Sequence, residues 1–115
     1  MAYLNLMENN LATSPTQLSL KMLREDGWFC WITEHYNYYA RIRQDLWGFG
    51  DIIALKPGQR LCVQTTTASN MSARVKKIAN HENVGKVRDA DIMIHVHGWY
   101  QNDKKQWHCK VKDVS

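Results

Sequence analysis

The spacing of apolar residues changes several times along this chain, and each change marks an element. After Ser14-Pro15, an N-cap residue followed by proline at the first helical position, Leu18, Met22 and Leu23 recur at helical intervals until Gly27, which predicts a short amphipathic helix. Residues 28–33, WFCWIT, are dense in aromatic and β-branched side chains and read as a strand that leads into the polar, aromatic stretch EHYNYYARIRQD. A second strand covers Asp51 to Leu55. Lys56-Pro57-Gly58-Gln59 puts proline and glycine at the two central positions that a type II turn favours, so the next strand, Arg60 to Thr66, is expected to pair antiparallel with it. In SNMSARVKKIANHE, capping residues at the start and the stripe Met71, Val75, Ile78 predict a second helix. Strand character returns from Asp91 to Tyr100 through Ile92, Ile94 and Val96. A polar turn at residues 101–104 then precedes a last strand, Trp107 to Val114. The order is α-β-β-β-α-β-β. A hairpin, a crossover helix and a further strand imply an α/β fold with a mixed central sheet flanked by helices.

At 115 residues and 13.5 kDa the chain has room for one domain, read as residues 14–115, with 1–13 as a flexible lead-in. No apolar run is long enough to span a bilayer, and MAYLNLMENNLATS lacks the basic start and continuous apolar stretch of a secretory signal, so a cytoplasmic setting is expected. Cys30, Cys62 and Cys109 are far apart and each lies in a strand-like run, which points to reduced, buried thiols. The net charge of +4 favours an anionic partner, and gains weight where cations cluster beside plausible chemistry.

Such chemistry centres on two strands. Asp51 opens one, and Gln64 and Thr66 end the other on a shared face, as period-two geometry requires. The pairing of Asp51-Ile-Ile-Ala-Leu with Leu61-Cys-Val-Gln-Thr-Thr across a tight turn, in this order of elements, resembles the PD-(D/E)XK or restriction-endonuclease-like nuclease superfamily. Within it, the chain looks most like archaeal-type Holliday-junction resolvases and small phage-encoded relatives, from the first helix to about Tyr100. The resemblance implies a restriction-endonuclease-like core, a metal-dependent DNA endonuclease acting on branched or structured DNA, Mg²⁺ or Mn²⁺ as cofactor, DNA as partner and a homodimer.

The family pattern places an aspartate at the start of the second strand, matched by Asp51, and an acid two residues before a lysine near the end of the third. Gln64 stands where that acid belongs and Thr66 where the lysine belongs, so the implied metal ligands are Asp51 and the neutral carbonyl of Gln64. Two routes offset the losses: Glu34 or Asp45 supplies a second carboxylate, and Arg74, Lys77 and His81, one helical stripe, lean a cation over the sheet. The plain readings are a strand-capping Asp51, a solvated strand end at Gln64 to Thr66, ordinary polar roles for Glu34 and Asp45, and a solvated helix face for Arg74, Lys76 and Lys77. Tyr38, Arg41 and Arg43, within a run that also holds Tyr36 and Tyr39, combine stacking surfaces with phosphate-binding cations, and with Arg74 and Lys77 they form the expected DNA contacts. His95 and His97 share a strand face but have no third ligand at matching spacing, so packing or hydrogen bonding is expected of them. The alternative to an enzyme is a catalytically silent nuclease-fold protein that binds nucleic acid or a protein partner. Gln64 and Thr66 favour silence, and the retained Asp51 favours activity.

Overall fold

This computed structural model describes residues 13–115 and the backbone of residues 2–4. Of the segment 1–13, expected as a flexible lead-in, residues 1 and 5–12 lie outside the described residues, while Ala2–Leu4 form a strand, β1. The elements that follow are α1 (Pro15–Glu25), β2 (Phe29–Ile32), β3 (His35–Asn37), β4 (Ile42–Gln44), β5 (Ile52–Lys56), β6 (Gln59–Thr67), α2 (Met71–Ala79), α3 (Val84–Asp89), β7 (Met93–Gln101) and β8 (Trp107–Asp113). The fold is α/β. A mixed six-stranded sheet runs β1-β8-β7-β6-β5-β2, with β6 and β7 parallel and the other described neighbours antiparallel.

The expected order holds with three additions: β1, the small hairpin β3–β4, and α3. The hairpin lacks the apolar alternation that marks a buried strand. It is shaped by Asn37, whose Oδ1 accepts from the N–H groups of Tyr39 and Ala40, both at 3.0 Å. Helix α3 has six residues, and its buried pair Val84 and Val87 is too brief a repeat to stand out. The second helix stops at Ala79, short of the expected reach to Glu82.

Local chemistry explains the rest. Ser14 Oγ accepts from the N–H of Gln17 at 3.2 Å, Pro15 opens α1, and Gly27 leaves the helix with φ 89°. The β5–β6 hairpin closes at Lys56↔Gln59 around Pro57-Gly58, with Gly58 at φ 71°, as a type II turn needs.

Strand alternation sorts the core into two layers. Leu61 and Val63 of β6 pack with Leu20, Leu23, Cys30, Ile52 and Ala54 on the α1 side. Cys62 packs with Phe49, Ile78, Val84, Val87, Ile94 and Val96 on the α2–α3 side. All three cysteines are free and buried, and burial pushes the Cys62 and Cys109 thiols up to about 12, so they stay protonated and inert. The two strand histidines have structural roles. Trp99 Nε1–H donates to Ser19 Oγ at 2.8 Å, which leaves the serine hydroxyl to donate to His97 Nδ1 at 2.8 Å. Burial, with a smaller push from His95, takes His97 down to about 3 and keeps it neutral. His95 instead pairs with Asp113 at 3.6 Å.

The loop 45–50 is wedged in place. Phe49 is fully buried, Leu46 bridges Gly50, and Asn83 Nδ2 donates to the Trp47 carbonyl at 3.0 Å. Gly48 adopts φ 92°, and a Cβ there would overlap the His81 ring, itself fixed by Phe49 edge-on at 5.3 Å and by the Asn83 N–H on Nδ1. Gly48→Ala is therefore expected to lower stability by roughly 2–3 kcal/mol, combining left-handed strain with displacement of His81, read as a fall in the urea midpoint.

Candidate functional site

The wedged loop separates two acids, Asp45 and Asp51, and returns the second to the sheet. Asp51 N–H donates to the Val63 carbonyl at 2.8 Å, although Val63 is registered with Ile52, so two residues of one strand oppose one of the other. Such a bulge re-aims a side chain. Here it turns the Asp51 carboxylate onto the end of β6, where Oδ2 accepts from Thr65 N–H at 2.8 Å, Thr65 Oγ1 at 3.0 Å and Gln64 Nε2 at 2.8 Å. The Asp51 carbonyl in turn accepts from Thr33 N–H at 2.8 Å and Glu34 N–H at 3.4 Å, which draws Glu34 alongside. Carboxylate oxygens of Glu34, Asp45 and Asp51 lie within 4.8 Å of one another.

A proton count shows what this proximity demands. Thr16 Oγ1 contacts Glu34 Oε1 at 3.1 Å and Thr65 Oγ1 at 2.8 Å, and Thr65 Oγ1 contacts Asp51 Oδ2 at 3.0 Å. Four oxygens in a row make three contacts, but the two hydroxyls supply two hydrogens. With Thr16 Oγ1 donating to Glu34 and Thr65 Oγ1 donating to Asp51, the Thr16–Thr65 contact is the one left without a hydrogen, so this chain is saturated with acceptors. The electrostatics agree: burial first, then the Glu34 charge, push Asp51 up to about 6 against the hydrogen bonds from Thr65. Asp45 is raised as well, by burial and then by Asp51, against the pull of Lys77, Arg74 and Arg43.

Cations ring the acids. Arg43 lies 3.6 Å from Glu34, and Lys77 lies 3.9 Å from Asp45. Arg74, one turn earlier on α2, acts on Asp45 through its field. The structure thus brings together Glu34, Asp45, Asp51, Gln64, Arg43, Arg74 and Lys77. Tyr38 and Arg41 lie apart, exposed in the β3–β4 turn, where Arg41 has φ 57°. His81 serves the loop. Gln64 and Thr66 are buried on a common face, which removes the solvated-strand-end reading. Gln64 Oε1 is buried without a hydrogen-bond partner, whereas its Nε2 holds Asp51. That differs from the expected direct placement of the Gln64 carbonyl beside Asp51.

Thr16 and Thr65 belong to the site and were not singled out from sequence. Thr65 lies on the opposite strand face from Gln64 and Thr66, so a search along one face passes it by. Thr16 left a trace, because it and Ser19 are polar residues on the buried side of α1.

The chain matches no family model, no curated protein and no solved structure. Among the described residues, no helix is long and apolar enough to cross a membrane.

The raised Asp51 pKa fixes the sign of a pH effect. A carboxyl at about 6 in the fold and 3.8 when unmodified contributes stability that is present below 3.8 and lost as pH rises through 6. Asp51→Asn is expected to be more stable than wild type at pH 8 by about 2–3 kcal/mol, from a rise of about two pKa units at 1.36 kcal/mol each. The difference should shrink through pH 6 and vanish near pH 4, as measured by urea unfolding of both proteins across that range.

Proposed function

We propose that this chain is a metal-dependent DNA endonuclease of restriction-endonuclease-like design, acting on branched or structured DNA, with its metal site centred on Glu34, Asp45 and Asp51. The observation that carries the reading is the convergence of these three carboxylates within 4.8 Å, beside the strand end where the superfamily pattern places its chemistry. The acid missing at Gln64 is supplied from Glu34 and Asp45.

The donor set fits the cofactor. Three carboxylates are hard oxygen ligands of the type Mg²⁺ and Mn²⁺ take, and their crowding is what a divalent cation would relieve. Held there by Glu34, Asp45 and Asp51, such an ion would polarise the scissile phosphate and lower the pKa of an attacking water. Thr65 and Thr16 orient the Asp51 and Glu34 carboxylates through their hydroxyls. Gln64 holds Asp51 by its amide N–H and adds no charge. Lys77, close to Asp45, takes the place of the lysine that Thr66 cannot supply, as a cation for the developing phosphorane charge. Arg43 and Arg74 meet the flanking phosphates, and Tyr38 and Arg41 on the protruding hairpin extend the contact.

Nicking of plasmid and four-way-junction DNA with Mg²⁺ and Mn²⁺ tests the reading. Asp51→Asn is expected to abolish cleavage while leaving DNA binding intact. Lys77→Met should slow cleavage by roughly 100-fold, the usual loss for one charge-stabilising group. Gln64→Glu restores the usual acid and should speed a reaction limited by metal affinity. Lack of cleavage by wild type and Gln64→Glu under both metals, with DNA binding retained, would leave the silent nuclease-fold alternative.

DNA affinity itself should fall steeply with salt, since Arg41, Arg43, Arg74 and Lys77 neutralise phosphates. Replacing Arg43 and Arg74 by alanine should reduce the slope of log K against log salt by about 2, as read by fluorescence anisotropy. An unchanged slope would remove both from the interface.

A further inference from the structure

Helix α1 covers only part of the sheet face on which it packs. Beside its last turns an open groove of about 520 Å³ runs over β6, β7 and β8, within the size range of small-molecule sites. Met22, Trp28, Leu61 and Val111 give it apolar walls, and His95 and His97 of β7 lie between them.

The state of His97 is set by its neighbours. Trp99 Nε1–H donates to Ser19 Oγ and the serine hydroxyl donates to His97 Nδ1, so the neutral ring carries its hydrogen on Nε2. His97 is 2% exposed, and its Nε2 has no partner among the described residues. It is not sealed off as Gln64 Oε1 and Trp107 Nε1 are, so its opening is the groove that it lines. A donor in that position has given up most of its water and gains nothing in return until an acceptor enters.

The rim is acidic. Glu25 and Asp26 stand there, at the end of α1. Asp26 is occupied by Lys56 Nζ at 3.3 Å and by Trp28 Nε1–H at 3.2 Å. Glu25 has no partner among the described residues and is the open charge of the groove.

We propose that this groove binds a small aromatic amine, with its ring against the apolar walls, an uncharged oxygen accepting from His97 Nε2–H, and its ammonium group toward Glu25. Each part of the occupant answers one part of the site. Apolar walls take an apolar body, one buried neutral donor takes one neutral acceptor, and an unpaired carboxylate takes a cation. An anion is disfavoured, because burial holds the His97 ring neutral and the rim carries negative charge. The groove shares no lining residue with the Glu34–Asp45–Asp51 cluster, and the proposal does not depend on the reaction proposed above.

Tyramine is the probe, added to ¹⁵N-labelled protein from about 0.1 to 20 mM, the affinity range open to a ligand of about ten heavy atoms. The ring-nitrogen signals of His97 and the indole N–H of Trp28 are expected to shift and saturate together, while those of His81 stay in place. Phenethylamine, which lacks the phenol oxygen, should bind about three- to tenfold more weakly, the loss of one hydrogen bond. Hydroxyphenylacetate, which has a carboxylate in place of the ammonium group, should not saturate. Glu25→Gln, at an exposed position, should weaken tyramine binding by about two- to fivefold. Val111→Trp, at a half-exposed position, should abolish it by filling the mouth of the groove, and both variants should keep the wild-type unfolding transition. Absence of a saturable tyramine shift at His97 overturns the inference, as does binding that Val111→Trp leaves unchanged. Equal affinity for phenethylamine, or for hydroxyphenylacetate, would overturn it too, by removing the His97 acceptor contact or the selection for a cation.

Discussion

The buried Asp51 carboxylate at the end of β6 is the constraint around which this molecule is arranged. A carboxylate taken out of water needs partners, and it has them in Thr65 N–H, Thr65 Oγ1 and the Gln64 amide. Those three bonds fix the bulge at the start of β5, and the bulge fixes where the loop 45–50 must end. Phe49, driven into the α2–α3 core, and Gly48, pressed on His81, set the other limit of the same loop. Asp45 is delivered next to Asp51 because both ends of a six-residue connection are held.

Placing three acids together has an electrostatic cost that the fold only partly offsets. Arg43 and Lys77 sit on the solvent side at 3.6 and 3.9 Å, distances at which exposed pairs contribute at most about 1 kcal/mol each. The remainder appears in Asp51, whose carboxyl is pushed up to about 6 by burial and then by the Glu34 charge, so it takes up a proton more readily than a free aspartate. A cation binding here would exchange with that proton, so metal affinity and pH are linked in one site.

Much of this was legible in the sequence, for identifiable reasons. Proline and glycine at 57–58 can close few turns other than the one observed, and period-two alternation put Gln64 and Thr66 on one face. Asp51 stood out because an acid opened an apolar strand. Glu34 and Asp45 were visible as alternatives for a carboxylate beside Asp51 but not as a pair that joins it together, since their convergence depends on the hairpin β3–β4 and the loop 45–50, neither of which has apolar periodicity. Thr16 and Thr65 were hidden by long-range geometry: forty-nine positions separate them, and only the packing of α1 on β6 unites them. Trp31 lies in a run that reads as a strand, and alternation alone does not say which face of that strand a helix covers; the structure leaves it exposed.

The central proposal is that the Glu34–Asp45–Asp51 cluster holds a divalent cation in exchange for a proton. Calorimetric titration of the protein with Mn²⁺, repeated in buffers of different ionisation enthalpy at pH 5.5 and pH 8, measures both binding and proton release. The account predicts one site per chain, lost in Asp51→Asn, that releases close to one proton at pH 5.5 and almost none at pH 8. Absence of a saturable site, or a site whose proton release is the same at both pH values, would contradict it.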